Sequence, residues 1–372
     1  MKPLNTSNNI KESDKRKNVD TPTEKAISFV IPCYNSAEYM DNCIQSLVNL
    51  NCDKNDIEII IVDDGSDLDN TLQKAMMWQD KYPTIIKVIH QENGGPGQAI
   101  NTGLKNARGL YFKVVDSDDY LAKEGVMPIM DYLRKQAKKA EEVNEITDLV
   151  IGNFVYNKTT DNKQYPVRFT NALPQNREFK WDDIKKFHSW QKLNMHSSIF
   201  RSELLRSIKL ELPKNIFYVD AIFITVPLPY VKKLYYIDTN MYIYNIGRPD
   251  QSVNEKIIMK RSNQLIKGIE IIIDNLNIEE LKKSRQLEKY MYNNLSQMIL
   301  VITIIHRTTN TQQMKKEQKQ MWDYIKNRDY DLYRSIFKKT ISWLSNVPGE
   351  FGRILCVVGY AISKKVIPYT ND

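Results

Sequence analysis

Asp116-Ser117-Asp118 follows directly on an apolar run, Leu110 to Val115. On a bent chain both carboxylates can point into one cleft. Their hard oxygens suit Mg2+ or Mn2+ bridging a diphosphate, and a metal there offsets the charge that gathers on a departing nucleotide diphosphate. Three further clusters could serve the same ligand. Val62-Asp63-Asp64-Gly65-Ser66 is an acidic turn able to accept from a base N–H or a ribose hydroxyl; it also reads as a helix-start turn in which the glycine takes a special backbone angle. Pro32-Cys33-Tyr34-Asn35 offers a ring that can pack on a nucleobase and an amide that can touch a ligand or, with Glu38, form a capping box. Gln91-Glu92-Asn93-Gly94-Gly95-Pro96-Gly97 is a turn that lets backbone come close to a ligand. It is neither G-x-G-x-x-G nor a P-loop, because no Gly-Lys-Ser/Thr follows.

The elements that must position these clusters are short apolar runs alternating with helical stretches. Ile27 to Pro32, Ile57 to Val62, Ile85 to Ile89 and Leu110 to Val115 read as strands, and 36–50, 69–81 and 98–107 as helices. Strands apolar along their whole length, each followed by a helix, imply an α/β fold with a mostly parallel sheet covered on both faces. Ligands of such sheets bind beyond the carboxyl ends of the strands, which gathers the loops at 32–35, 63–66 and 116–119 at one mouth. A long helix is expected over 123–147, and strands over Asp148 to Tyr156, Tyr165 to Phe169 and Met241 to Ile246. From about residue 254 the pattern turns helical, with Pro and Gly absent from 269 to 347.

The chain of 372 residues exceeds what one core needs. We divide it into a polar, disordered tail at 1–25, a ligand-binding domain at 26–250 and a basic helical region at 251–372. The net charge is +8, and its location is informative: residues 251–372 hold 20 basic against 12 acidic side chains, the remainder 33 against 33. Such a surface suits anionic lipid, nucleic acid, an anionic polymer or simple solvation. Trp322, Tyr324, Tyr330, Tyr333, Phe337, Trp343 and Phe351 lie among its Lys and Arg, a mixture that fits a membrane interface or a helical core with snorkelling lysines. No nucleic-acid recognition motif is present, so nucleic acid is set aside as a partner. Helices with an unplaced apolar face could pair as a homo-oligomer.

Cys33, Cys43, Cys52 and Cys356 form no C-x-x-C pair; we read them as small buried hydrophobes in a reducing cytosol. The first 25 residues lack an apolar signal-type core, and no apolar run reaches about 18 residues. Ile354 to Ile362 is too short and is followed by Lys364 and Lys365. The expectation is a cytoplasmic protein able to sit on the inner face of the plasma membrane.

Taken in order, the motifs resemble the family 2 glycosyltransferases of GT-A fold. The resemblance rests on Phe29 to Asn35, Val62 to Ser66, Asn93-x-Gly95, Ala99-x-Asn101-x-Gly103 and Asp116 to Asp119, and it covers about residues 26 to 250. It implies a nucleotide-sugar site formed by Pro32, Tyr34, Asn35, Asp63, Asn93, Gly95, Asp116 and Ser117. It implies a divalent metal, Mn2+ or Mg2+, held chiefly by Asp118 with Asp116. The family usually carries a Glu-Asp pair further along, whose Asp is the catalytic base. Here Phe217-Tyr218-Val219-Asp220-Ala221 has Val219 for the Glu and keeps Asp220, which alternatively caps a helix. The family also commonly has Ala-Arg-Asn where this chain has Ala99-Ile100-Asn101.

The segment from Tyr244 to Ser252 resembles one found in some polymer-building members. In it, Arg248 either reaches the diphosphate as a fixed cation or sits in a surface turn. His196 either contacts the acceptor or is an ordinary buried histidine. The resemblance implies inverting transfer from a nucleotide-diphospho-sugar, a UDP-sugar in our reading, to an acceptor hydroxyl on a glycan, a lipid-linked sugar or a polymer of the bacterial surface, such as teichoic acid. Val219 and Ile100 leave open a catalytically weak sugar-nucleotide-binding partner in a glycan assembly complex. A doubly wound oxidoreductase is opposed by the missing dinucleotide fingerprint.

Overall fold

Strands that are apolar on both faces need a layer on each side; the runs at 26–31, 57–63 and 109–114 are buried throughout, and the edge run at 86–90 is only partly covered. The structure is a computed structural model that describes residues 25–140, 145–188, 191–248, 251, 255–337, 343 and 345–366. Nearly all of the expected polar tail lies outside these residues. β1 (Lys25–Cys33), β2 (Ile57–Asp63), β3 (Ile86–His90) and β4 (Gly109–Val114) pair in parallel, in the spatial order β3-β2-β1-β4. The connections carry α1 (Met40–Val48), α2 (Thr71–Lys81) and α3 (Pro96–Asn106).

Beyond β4 come β5 (Tyr120–Leu121), α4 (Lys123–Ala140), β6 (Leu149–Lys158), β7 (Lys163–Val167), β8 (Glu178–Phe179), β9 (Ser198–Arg201), α5 (Ser202–Ser207), α6 (Val219–Thr225) and β10 (Leu234–Ile246). The sheet has ten strands and runs β3-β2-β1-β4-β9-β6-β10-β5, with β7 beside β6 and β8 beside β10. β9 is antiparallel to both neighbours, β4 and β6, while β6 and β10 are parallel. The strand expected at 241–246 is therefore the second half of a longer one.

The helix expected over 123–147 ends its described part at Ala140, and residues 145–147 are not helical. Long-range bonds draw that segment away. Thr147 N–H donates to Gln136 Oε1 (3.0 Å), and the Asp148 carboxylate accepts from the backbone of Lys232 (2.8 Å) and Lys233 (3.0 Å).

The last third is helical: α7 (Glu255–Lys260), α8 (Ser262–Asn275), α9 (Ile278–Leu281), α10 (Arg285–Thr309), α11 (Gln312–Arg328), α12 (Tyr330–Phe337) and α13 (Gly349–Val366). Ile269 and Ile272 of α8 and Leu295 and Ile299 of α10 join one continuous apolar core with the sheet. Its aromatic residues divide between the two expected roles. Trp322, Tyr333 and Phe337 pack on one another with centroids 5.3–5.8 Å apart, whereas Tyr330, Trp343 and Phe351 are exposed. Among the described residues, no helix is long and apolar enough to cross a membrane. All four cysteines are free, and all but the half-buried Cys52 are buried.

One motif glycine has a packing reason. A Cβ on Gly103, in α3, would lie 2.3 Å from Val30 Cγ1 in β1; the absent side chain lets the helix seat on the sheet. Gly103→Ala should cost about 1–3 kcal/mol by overpacking. Gly359→Ala, with nothing within 4 Å of its Cβ position on α13, should be neutral or gain up to about 1 kcal/mol of helix propensity. Urea unfolding measures both; equal effects would contradict this packing account.

Candidate active site

The carboxyl ends of β1, β2 and β4 open on a cleft of about 620 Å³. Pro32, Tyr34 and Asn35 line it from the end of β1, Asn93 and Gly95 from the turn before α3, and Asp116, Ser117 and Asp118 from the turn after β4. Asp220 and Arg248 reach it from later segments. Asp63 does not line it. As the last residue of β2, paired with Cys33 and His90, it is fully buried and lies 2.6 Å from His90 Nδ1.

Asp64 lines the cleft instead, since successive residues on an extended chain face opposite ways. Its carboxylate accepts from Gly94 N–H (3.0 Å), Gly95 N–H (2.8 Å) and Gln91 Nε2 (2.6 Å), fixing the glycine turn. Gly95 stands at φ +83° before the first turn of α3, a conformation that favours glycine.

Asn35 does not cap α1, which starts at Met40 after Tyr39 with no side-chain cap. It sits at φ +49°, where asparagine is tolerated. Its Oδ1 accepts from the backbone of Asp67 (3.1 Å) and Leu68 (3.0 Å). The capping-box expectation fails because this long-range contact takes the side chain first. Tyr34, beside it, is half exposed.

The acidic turn is held by β10. Tyr242 Oη accepts from Asp116 N–H (3.1 Å) and donates to Asp119 Oδ2 (2.8 Å). Asn245 N–H donates to Asp119 Oδ1 (2.8 Å), and Asn245 Nδ2 donates to the Asp118 carbonyl (2.6 Å). Burial, with Asp118 and Asp116 nearby, raises Asp119 well above the usual carboxylate range. Asp116 is pushed up to about 7, first by desolvation and then by the charges of Asp118 and Asp220, although its side chain remains about a third open to the cleft (31%).

Asp118 Oδ2 accepts from the Arg248 guanidinium (2.7 Å), which also lies 4.0 Å over the ring of Tyr39. Asp118 is engaged by Arg248, and one ligand atom each of Asp116, Asp119 and His196 lie within 4.8 Å of one another. His196 is buried against Tyr242 and Tyr244, with centroids at 4.7 and 4.2 Å. Its Nδ1 has no hydrogen-bond partner and lies 3.9 Å from Asp116 Oδ2. Burial, aided by Lys113, lowers its pKa well below the ordinary value, so the ring is neutral and keeps a lone pair. Lys113, brought down to about 7 by its own burial, donates to the carbonyls of Met195 (2.6 Å) and His196 (2.9 Å) and so fixes the turn that carries the imidazole. Two carboxylates and an unpartnered imidazole fit a divalent ion of the Mn2+ kind.

Asp220 lies in the first turn of α6, exposed to the cleft, and the helix has no side-chain N-cap bond. The capping alternative is therefore not the role it takes. Val219, in place of the family Glu, is buried beside Gly97, and Ile100 is buried at the cleft wall.

The family model for glycosyl transferase family 2 matches residues 28–204, the span of β1 to α5 that carries the strand-end motifs. Residues 28–204 thus carry a domain of this family. Over 102 residues this chain is 42% identical to the poly(ribitol-phosphate) beta-glucosyltransferase of Bacillus spizizenii, covering 27% of this chain and 16% of that protein. Over 141 residues it is 38% identical to the glycosyltransferase GlyG of Streptococcus pneumoniae, covering 37% and 42%. It thus spans less than half the length of these relatives. The crystal structure of S. aureus TarS 1-349 in complex with UDP-GlcNAc superposes with a TM-score of 0.63 at 19% identity, over 93% of this chain and 92% of that one, a likeness of fold. The model of the autophagy protein ATG5 alpha-helical bundle region also matches residues 302–342; a match to so short a helical stretch carries no functional inference.

Sequence reasoning gave no role to Asp64 or Asp119 and left His196 undecided. Strand alternation offered a signal for Asp64; nothing local marks the other two, whose partners lie far along the chain. Asp64→Ala should expose the amides of Gly94 and Gly95 to faster hydrogen–deuterium exchange and cost about 1.5–3 kcal/mol, the range for hydrogen bonds to a charged group. Unchanged protection of those amides would contradict the clamp.

Proposed function

We propose that this chain is an inverting glycosyltransferase that moves a sugar from a UDP-sugar to an acceptor hydroxyl in the synthesis of a bacterial surface glycan of teichoic-acid type. The observation that carries the reading is the placing of Asp220 in the same cleft as the acidic turn and Arg248. A neighbour of the same fold was solved with UDP-GlcNAc, and a relative acts, by its name, on poly(ribitol-phosphate); both support the donor and acceptor classes.

The half-exposed ring of Tyr34 offers a face to the base. Arg248, held above Tyr39, is placed to trade Asp118 for the donor diphosphate, a group the guanidinium fork matches. Asp116, Asp119 and His196 would hold the divalent ion, with Asp118 as a further carboxylate once Arg248 turns away. Such an ion supplies Lewis-acid stabilisation of the leaving diphosphate. Asp220 takes the proton of the acceptor hydroxyl as its oxygen bonds to the anomeric carbon, from the face opposite the breaking bond to the diphosphate.

Asp220→Asn should lower turnover of a labelled UDP-sugar about 10²- to 10⁴-fold, the range for loss of a general base, while donor binding survives. Full activity in that variant would remove Asp220 from the role. A wild-type chain that binds donor yet shows no turnover with any acceptor would favour the binding-partner reading. Arg248→Ala should weaken donor binding about tenfold, the loss of one charge-assisted contact, as measured by titration calorimetry; unchanged affinity would return Arg248 to a purely structural pairing with Asp118.

A further inference from the structure

α13 bears an apolar stripe that the described residues leave uncovered. Phe351, Ile354, Leu355 and Val358 follow helical spacing on one face and are 69%, 49%, 41% and 50% exposed. The other side of the helix carries the buried Gly352 and Cys356. At the first turn of α13 lies a second cavity, of about 340 Å³, lined among others by His306, Arg307, Lys315, Glu350 and Arg353. Its polar groups are incompletely satisfied. The His306 side chain is almost wholly buried (1% exposed) and both its ring nitrogens lack hydrogen-bond partners, as does Arg307 Nε.

The cavity is lined by three cations, Arg307, Lys315 and Arg353, against one carboxylate, Glu350, so its lining keeps a net positive charge. Glu350 is paired with Arg353 (2.7 Å to Nε), and Glu317 stands 3.7 Å from His306. Arg307, Lys315 and Arg353 together with the amino end of α13 make a seat for an anion. An anion seat beside an exposed apolar stripe matches the two halves of one ligand, a phosphate headgroup with acyl chains.

We propose that α13 lies on an anionic membrane surface, its stripe among acyl chains and a phospholipid phosphate in the Arg307–Lys315–Arg353 cavity. Charge complementarity favours this occupant. The whole excess charge of the chain falls within residues 251–372, and a second copy would bring the same cations to the same place. The proposal stands independently of the sugar transferred.

The test is co-sedimentation of the full chain with vesicles of phosphatidylcholine alone and of phosphatidylcholine mixed with phosphatidylglycerol. We expect binding to the mixed vesicles only, weakened by salt. Phe351→Ser with Leu355→Ser should lower it at least about tenfold, and Lys315→Gln with Arg353→Gln should lower it by a similar factor. All four sites are at least partly exposed; unchanged circular dichroism and an unchanged donor-induced thermal shift separate lost docking from lost folding or a failed sugar site. Equal binding to both vesicle types, binding to neither, or wild-type binding by both double variants overturns the proposal. So does a solution dimer that the Phe351/Leu355 variant dissolves, or a thermal shift with inorganic phosphate in a chain that ignores vesicles.

Discussion

Asp116, Asp118, Asp119 and Asp220 crowd one corner of the cleft: burial and then the charges of Asp118 and Asp220 raise Asp116, and burial and then Asp118 and Asp116 raise Asp119. Ionised carboxylates withdrawn from water repel and are poorly solvated, so each needs compensation before the chain can close around them. Asp118 has Arg248, Asp119 has Tyr242 and Asn245, and Asp116 holds its proton more firmly than a free carboxyl does. This arrangement leaves Nδ1 of one imidazole, His196, without a hydrogen-bond partner. A site that carries such local conflict inside an otherwise consistent fold is where function is expected, and a divalent cation would relieve it.

The compensation comes from far along the sequence. β10 supplies Tyr242 and Asn245 at its end, and Arg248 follows two residues after it. The parallel register of β10 on β6, with its shifts between Tyr236 and Tyr242, therefore sets where the acidic turn can sit. β9 works in the same way. It inserts antiparallel between β4 and β6, and the turn leading into it carries His196, braced from below by Lys113 of β4. The motifs of the first 120 residues form the cleft, and later segments fix their charge state.

What could be read in advance follows from this division. The first four strands are apolar on both faces, so their existence, order of appearance and ligand end were plain in the sequence. So was the grouping of Tyr34, Asp116 and Asp118 at one mouth; Asn93 joined them only through the family resemblance. Asp63 and Asp64 were harder, because the choice between them turns on the last residue of a strand, where a one-residue difference reverses the side chain. Asn35 looked like a helix cap; its amide was taken by the backbone of Asp67 and Leu68, a contact across 32 and 33 residues that local pattern does not contain. The metal-type cluster was half legible. Asp116 belongs to the motif, but Asp119 and His196 acquire meaning only through β10 and the turn before β9. The basic helical third showed its charge in composition, while the division of its aromatic residues between core and surface needed the packing of α11 and α12.

Thermal unfolding of the whole chain with UDP-, GDP-, CMP- and dTDP-linked sugars, each with and without Mn2+, tests the donor and metal site most directly. A ligand that binds only the folded state, present at 100 times its dissociation constant, stabilises it by about 2.7 kcal/mol. A cleft with crowded carboxylates and an unpartnered imidazole predicts a rise in midpoint with the UDP-linked sugars that grows when Mn2+ is added. No rise with any donor at millimolar concentration, or a rise that ignores the metal, would contradict it.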